Sequence, residues 1–195
     1  IKEILMIQDR LKVMETKNKS KESFLDYVKH VWPEFVEGEH HRLFASKLEA
    51  VAQGKIKRLI VNMPPRHTKS EFASVFFPSW FMGLKPNTKI MQTTHTAELS
   101  VRFGRKVRNL MDQNEYKQIF DNVGLSADSK SAGRWETDKG GEYFAAGVGG
   151  AITGRGADLL IIDDPHSEQD ALSPSALESA WEWYSSGPRQ RLQPG

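Results

Sequence analysis

The 195-residue chain contains no cysteine, which excludes disulfide bonds and thiolate metal ligands as sources of stability. It has no apolar run near the ~20 residues that a membrane-spanning helix needs, and no secretory signal pattern begins it. The six histidines show no H-x-x-x-H spacing, so a histidine zinc site is not indicated. With 38% hydrophobic and 27% charged residues, the composition predicts a soluble, intracellular globular protein with no membrane partner.

An excess of charge of either sign is also missing, since the net charge is only +2. The distribution along the chain is uneven, however. Residues 61–135 carry 11 basic and 6 acidic side chains, whereas residues 136–195 carry 4 basic and 10 acidic ones. This arrangement suits a basic loop that faces a carboxylate-bearing segment, and a polyanion would be attracted to the middle third. A solvated basic face is the alternative.

Residues 63–70, with the sequence MPPRHTKS, have the lysine and serine of a phosphate-binding loop but neither of its glycines. In the usual pattern, G-x-x-x-x-G-K-[ST], backbone N–H groups hold phosphates, the lysine contacts the β/γ oxygens and the hydroxyl binds Mg²⁺. Met63 and Thr68 stand at the two glycine positions, so the match depends on Lys69 and Ser70 and on the apolar strand predicted over residues 59–62. A basic turn after a strand would have the same letters.

Two adjacent aspartates follow a second strand-like segment. Residues 159–162 are four consecutive aliphatic residues, and Asp163 and Asp164 come next. Such a run predicts a buried parallel strand with the acids at its C-terminal end. In ATPases with this strand, the first acid holds Mg²⁺ and the next orients or deprotonates the attacking water. A strand ending in a polar turn capped by Asp164 is the alternative, but the pairing with Lys69 and Ser70 favours the ATPase interpretation.

Hydrophobic spacing and turn residues predict an α/β fold with a mainly parallel sheet flanked by helices. Helices are predicted over residues 1–20, 23–31, 41–52, 70–82, 97–111, 115–120 and 176–184, and strands over residues 59–62, 88–93 and 158–162. Residues 134–137 and 142–145, which flank Gly140 and Gly141, predict an inserted β-hairpin. We divide the chain into an N-terminal helical arm and subdomain, residues 1–57, and a core, residues 58–195.

The chain resembles the ATPase domain of the large terminase subunit, the DNA-packaging motor of tailed bacteriophages. Residues 62–71, 154–158 and 159–165 carry the resemblance, which extends from about His40 to the last residue. It implies a P-loop NTPase fold of the ASCE type that binds ATP and Mg²⁺. It also implies double-stranded DNA, a portal protein and a small terminase subunit as partners, a homo-oligomeric ring that is a pentamer on the portal, and the host cell cytoplasm as location.

The resemblance implies roles for individual side chains. The cofactor-binding residues are those of the phosphate loop: Pro64, Pro65, Arg66, His67, Thr68, Lys69 and Ser70. Ser70 and Asp163 hold Mg²⁺, and Asp164 is the catalytic carboxylate, at a position where many family members have glutamate. Thr68 stands where the family commonly has glycine.

Two arginines are candidates for stabilising the transition state. Arg155, between Gly154 and Gly156, is the candidate arginine finger, acting on the γ-phosphate of a neighbouring subunit. Arg66 could act within its own subunit. A simple ion pair of Arg155 with Asp158 or Glu142 is the alternative.

Two further sets of side chains are candidates for contacting ligands. The family reads adenine with residues upstream of the loop, which indicates Phe35, His40 and His41, although such residues also serve in helix packing. The basic side chains of the helix over residues 97–111 could contact DNA phosphates or the acidic third of a neighbour: Arg102, Arg105, Lys106 and Arg108. A solvated helix face is the alternative.

The resemblance also identifies missing parts. In the family, a coupling strand follows the carboxylate strand and its helix, and lies between that strand and the phosphate-loop strand; a nuclease domain comes later. The sequence ends at Gly195, before both, so we expect this chain alone to hydrolyse ATP poorly and to cut no DNA.

Two other functions stay open. A superfamily-2-like helicase or remodelling ATPase shares both motifs, but would have D-E-x-[DH] where this chain has Asp163-Asp164-Pro165-His166. A non-catalytic nucleotide-binding scaffold module is favoured by the two missing glycines.

Overall fold

A computed structural model describes residues 2–128, 131–152 and 154–193, so Thr153 of the glycine-rich segment lies outside the described residues. The helices are α1 (Lys2–Glu22), α2 (Phe24–Val31), α3 (Glu39–Ala52), α4 (Lys69–Glu71), α5 (Phe77–Leu84), α6 (Ala97–Asp112), α7 (Asn114–Ile119) and α8 (Pro174–Ser186). The strands are β1 (Lys89–Thr94), β2 (Arg134–Glu136), β3 (Glu142–Gly147) and β4 (Leu159–Ile162). Short 3₁₀ turns cover Asp170–Leu172 and Pro188–Arg191. The predicted α/β class is confirmed.

The four strands form one mixed sheet in the order β2-β3-β1-β4. β1 pairs in parallel with β3 on one side and with β4 on the other, so the C-terminal ends of these three strands lie at the same edge of the sheet. β2 pairs with β3 in antiparallel fashion, which confirms the predicted hairpin. The second strand of that hairpin is nevertheless an inner strand of the sheet, next to β1, and not an appendage to it.

The predicted strand over residues 59–62 is wrong, because these residues belong to no strand. Leu59 and Val61 are half-buried against the core, while Ile60 is 88% exposed. In the described part of the chain, β4 pairs with β1 alone and is therefore an edge strand. The other side of β4 is unpaired, and residues 59–62 make none of the ladder hydrogen bonds that define a strand. β4 itself is less buried than predicted, with Ile162 37% exposed.

Capping side chains explain where several predicted helices begin. The hydroxyls of Ser23, Thr96 and Ser173 accept hydrogen bonds from backbone N–H groups three residues on, at the first turns of α2, α6 and α8. Pro174 occupies the first position of α8, where its missing N–H is not needed. The sequence therefore predicts these helices to within a few residues.

The helical segment that begins at Lys69 changes its winding along its length. α4 continues into a π-helical turn, Phe72–Phe76, which continues into α5. Pro78 has no N–H to donate to the Ser74 carbonyl four residues earlier, and its ring would clash with that carbonyl in an α-helix. A wider turn before the proline avoids this clash and fixes where the Ser74 side chain lies.

The main core is rich in aromatic residues and lies between the helices and one face of the sheet. Phe24 on α2 contacts Phe72, Phe77 and Trp80 with ring centroids 5.4–5.9 Å apart. Side chains of α2 and α3 share this core with β1 and β3. The helical segment that begins at Lys69 is therefore packed firmly against its surroundings.

α1 is mostly exposed, and its C-terminal end is joined to the core through a hydrogen bond from Trp80 Nε1 to the Ser20 carbonyl at 2.8 Å. None of the described helices combines the length and the apolar character that crossing a bilayer requires.

Candidate functional site

The two predicted motifs meet at the C-terminal edge of the sheet. Lys69, the first residue of α4, forms an ion pair with Asp164, which lies 95 positions further along the chain. Its Nζ also lies 3.4 Å from Asp163 Oδ1. Both aspartates directly follow β4, so the sheet places them at the start of the helical segment 69–84.

Burial divides the two aspartates into different chemical environments. Residues alternate between the faces of a strand, so Asp163 continues the face of Ile161, which packs into the main core. Its side chain is 5% exposed, whereas that of Asp164 is 61% exposed. Asp163 is thus a fixed, buried carboxylate, and Asp164 has access to solvent.

A buried chain of hydrogen bonds fixes Asp163. Ser74, in the π-helical turn, donates from Oγ to Asp163 Oδ2 at 2.9 Å. Gln92 on β1 donates from Nε2 to Ser74 Oγ at 3.2 Å, and both Ser74 and Gln92 are fully buried. With Oδ2 occupied by Ser74, the other oxygen of Asp163 is the one that faces Lys69.

Electrostatics keep Lys69 charged. Partial burial by itself lowers the pKa of its ammonium group, but the hydrogen bond that Lys69 donates to Asp164 and the charge of Asp163 outweigh burial and leave that pKa above its ordinary value. The site therefore contains one fixed cation between two acidic side chains.

Among the residues that the structure describes, three other than glycine have left-handed backbones, and all three belong to the predicted site. Their φ angles are 64° at Arg66, 60° at Thr68 and 44° at Asp164. A left-handed conformation destabilises an ordinary residue by about 1–2 kcal/mol and is harder still for a β-branched one such as Thr68. Such residues concentrate at functional sites. Thr68 has the backbone that glycine would adopt at that position.

Hydrogen bonds hold Thr68 and Asp164 in these conformations. His41 Nε2 lies 2.6 Å from Thr68 Oγ1, and Thr68 Oγ1 donates to the His67 carbonyl at 2.6 Å. The Asp164 carbonyl accepts from the backbone N–H of His95 at 3.1 Å. Contacts from other parts of the fold thus offset the strain.

The other residues of the loop lie at the surface. Pro64, Pro65, Arg66 and His67 are exposed, and His67 donates from Nδ1 to the Pro65 carbonyl at 2.8 Å. Lys69 and Ser70 are half-buried. The exposed part of the loop is accessible to a ligand, while the part that begins the helix is anchored.

The three candidates for adenine recognition separate into two groups. His41 is buried and contacts Phe35 and Phe72, with ring centroids 4.7 and 5.2 Å apart, so it serves in packing. His40 is exposed, and its ring lies 5.5 Å from that of His67. The His40 ring also lies 3.8 Å from that of His41, and Phe35 is half-buried, so His40 is the most exposed of the three.

Arg155 lies away from Lys69. Its guanidinium forms an ion pair with Glu142, the alternative considered from the sequence, and lies over the Phe144 ring at 4.4 Å. Glu142 begins β3 and is paired with Lys89, the first residue of β1, so it lies at the opposite end of the strands from Asp163. Ile162 pairs with Thr93, which is four strand positions, about 13 Å, beyond Lys89, and Asp163 lies one position further. The structure therefore does not bring Arg155 to its own Lys69. Asp158 instead accepts from the Lys89 backbone N–H at 2.7 Å.

The basic residues on α6 differ in their surroundings. Lys106 forms an ion pair with Glu71, immediately after Ser70. Arg102 and Arg105 are exposed, and Arg108 is half-buried. The free charge of this face is therefore concentrated at Arg102 and Arg105.

The donors at the site are compatible with Mg²⁺ but would not form a cage around it. In the described ranges there is no group of three or more histidine, aspartate or glutamate side chains able to hold a metal. Ser70 and Asp163 provide one hydroxyl and one carboxylate. Mg²⁺ commonly binds through one or two carboxylates together with water and substrate phosphates, so this set fits a metal that arrives with a nucleotide.

Motif patterns do not predict the roles of Ser74, Gln92 and His95. One signal was available for the first two, because a serine in an apolar helix and a glutamine in an apolar strand need buried partners.

No known protein family matches the chain, and no curated protein matches it either.

Proposed function

We propose that this chain binds ATP with Mg²⁺ at residues 63–70 and hydrolyses it, as the ATPase part of a motor that moves double-stranded DNA into a viral procapsid. The contact of Lys69 with Asp163 and Asp164 carries the proposal. Phosphoryl transfer needs a cation for the phosphates, oxygen ligands for the metal and a carboxylate for the water. These groups occur together here, at the start of a helix.

The environments of the side chains suggest their roles. Asp163, buried and fixed by Ser74, is suited to holding Mg²⁺ together with Ser70, since a metal ligand must be pre-positioned. Asp164, which is exposed, is suited to orienting the attacking water. Lys69 would exchange its carboxylate partners for phosphate oxygens. Mg²⁺ would neutralise charge on the phosphates when bound.

A P-loop fold of the ASCE type and the motor function extend the proposal beyond the nucleotide site. The unpaired edge of β4, with Ile162 and Ile60 exposed, is consistent with an additional strand between β4 and residues 59–62. The exposed Arg102 and Arg105 are compatible with contacts to DNA phosphates. Arg155 would serve as an arginine finger only in a neighbouring subunit, after leaving Glu142.

Isothermal titration calorimetry of the 195-residue chain with ATP and Mg²⁺ tests the nucleotide site. We expect the wild-type chain to bind and the Lys69→Ala variant to lose at least about tenfold in affinity, because the phosphates lose their charged partner. Asp164→Asn should retain binding and lose phosphate release, since asparagine tolerates the left-handed backbone but is not a base. Ser46→Ala, an exposed position on α3, is the control.

The result distinguishes the competing functions. A wild-type chain that fails to bind ATP, or a Lys69→Ala variant with unchanged affinity, would contradict the proposal. Binding without any hydrolysis would favour a scaffold, and separation of DNA strands would favour a helicase. Slow hydrolysis that double-stranded DNA accelerates, without strand separation, is the expected outcome for a packaging motor.

A further inference from the structure

The phosphate loop has an unusual backbone conformation at the position before Lys69. Thr68 has φ 60° and ψ 14°, a conformation that threonine rarely adopts, and α4 begins directly after it. The loop therefore needs a contact that favours this backbone over the ordinary ones. The contact is the hydrogen bond between Thr68 Oγ1 and His41 Nε2, at 2.6 Å.

The partners of His41 define which of its nitrogens carries the proton. The backbone N–H of Gly38 donates to His41 Nδ1 at 2.9 Å, so Nδ1 is an acceptor without hydrogen. The proton of the neutral ring is then on Nε2, which donates to Thr68 Oγ1. Thr68 in turn uses its own hydrogen to donate to the His67 carbonyl. Each polar atom in this series of hydrogen bonds, from Gly38 to the His67 carbonyl, therefore acts consistently as donor or acceptor.

The imidazole is held rigidly. It is 5% exposed and lies between the rings of Phe35 and Phe72, and its backbone belongs to the first turn of α3. Packing alone would explain the burial of the ring, but a phenyl ring would pack equally well. The hydrogen bonds at both nitrogens indicate that His41 transmits the fixed position of α3 to the loop.

We infer that His41 is a positioning residue for the candidate nucleotide site, and that its Nε2–H holds Thr68 in the left-handed conformation that glycine would adopt unaided. The inference rests on the proposed phosphate-binding role of the loop. It identifies a side-chain tether, His41 to Thr68, as the substitute for the missing second glycine of the motif.

A double-mutant cycle tests the tether, with calorimetric binding of ATP and Mg²⁺ as the readout. His41→Asn keeps an acceptor near the position of Nδ1 but does not reach Thr68, whereas His41→Gln places an amide N–H near the position of Nε2. We expect His41→Asn to weaken binding about tenfold and His41→Gln to restore much of the affinity. In a Thr68→Gly background, His41→Asn should cause no further loss, since glycine needs no tether.

A second variant leaves the buried ring in place. Thr68→Val keeps the size and branching of threonine but removes the hydroxyl, so it should weaken binding about as much as His41→Asn. Ser46→Ala on the same helix as His41 should have unchanged affinity. Wild-type affinity in both His41→Asn and Thr68→Val would overturn the inference. So would a loss of ATP affinity from His41→Asn that is as large in the Thr68→Gly background as in the wild-type chain.

A readout without nucleotide separates failure of the tether from failure of the proposed function. Nitrogen-15 NMR of the histidine rings should show His41 as the Nε2–H tautomer, with an Hε2 proton that exchanges slowly in the wild-type chain and faster after Thr68→Gly. An Nδ1–H tautomer, or an Hε2 unaffected by Thr68→Gly, overturns the tether whether or not ATP binds. Absence of wild-type ATP binding with the expected tautomer contradicts only the proposed function.

Discussion

A single buried carboxylate, Asp163, connects the stability of this chain with its candidate chemistry. It accepts from Ser74 through one oxygen and faces Lys69 with the other. A charged group in an apolar environment is stable only when its hydrogen bonds are satisfied. The same contacts that make this acid tolerable inside the fold would orient it toward a metal.

Replacing Ser74 with alanine should destabilise the fold by about 1–3 kcal/mol, because a buried charged acceptor loses its donor. The free energy of unfolding, measured by urea denaturation, is the test. Ser46→Ala, whose hydroxyl bonds an exposed carbonyl in α3, should change it by less than about 0.5 kcal/mol. Equal effects of the two substitutions would show that the bond to Asp163 contributes little.

His41 should make stability depend on pH. Burial lowers the pKa of His41. The nearby His40 and His67 lower this pKa further, and Glu37 opposes them. Above its ordinary pKa of about 6.5, both the folded and the unfolded chain carry a neutral ring, and His41 makes its full contribution to the free energy of unfolding. As the pH falls, the unfolded chain takes up the proton first, so the free energy of unfolding decreases until the lower pKa of the folded state is reached.

Urea denaturation of the wild-type chain and of His41→Gln between about pH 7.5 and 5.5 measures this effect. The wild-type chain should lose more stability over that interval than the variant. Glu37 and Asp121, whose pKa values are lowered by hydrogen bonds from Lys29 and Lys17, titrate below this window and do not interfere. Parallel curves for the two chains would contradict the prediction.

At the scale of elements, local signals predict the helices better than the strands. Ser23, Thr96 and Ser173 mark helix starts through contacts within one turn, which sequence reveals directly. A strand depends on a neighbour distant in sequence, and residues 59–62 have the composition of a strand without the neighbour. The π-helical turn has a local cause, Pro78, but its consequence for Ser74 and Asp163 requires the assembled sheet.

The packing of α6 on the hairpin depends on a glycine. A Cβ atom at Gly104 would lie 2.5 Å from the Ala132 carbonyl oxygen and 2.9 Å from Tyr143 Cε1. The Gly104 carbonyl also accepts from Trp135 Nε1 at 3.0 Å, and the Trp135 ring stacks on that of Tyr143. Close contact between helix and sheet thus requires the absence of a side chain here.

Gly104→Ala should therefore destabilise the protein by about 1–3 kcal/mol, although alanine favours helices by about 1 kcal/mol. Thermal unfolding followed by circular dichroism measures the change. Asn109→Ala, an exposed position on α6, supplies the propensity gain without the clash and should be neutral or slightly stabilising. A stabilised Gly104→Ala variant would mean that α6 lies further from β3 than described.

At the scale of the whole molecule, the uneven charge makes DNA binding testable. Arg102→Glu combined with Arg105→Glu should weaken binding to double-stranded DNA and reduce the slope of log affinity against log salt by about two, if each arginine contacts a phosphate. Fluorescence anisotropy at several salt concentrations measures both quantities. Lys47→Glu with Lys55→Glu makes the same change in net charge at exposed positions elsewhere and should affect binding much less.

The whole sheet also explains why part of the candidate site is predictable from sequence and part is not. The two motifs taken together as one nucleotide site predict that Lys69 meets Asp163 and Asp164, although only the aspartates follow a strand in the structure. The location of Arg155 at the opposite edge depends on the register of β3 with β1, which no local pattern specifies. The same holds for the contact of His41 with Thr68, which joins a helix to a loop.

The left-handed residues of the loop have a thermodynamic consequence for any ligand that binds there. A glycine-rich loop has many conformations and loses that freedom when its ligand arrives. Pro64, Pro65 and the tethered Thr68 restrict the backbone in advance, so the loop is arranged when the chain folds. Association should then carry a small entropic penalty from the loop, and affinity would reflect mainly the charges that meet the ligand.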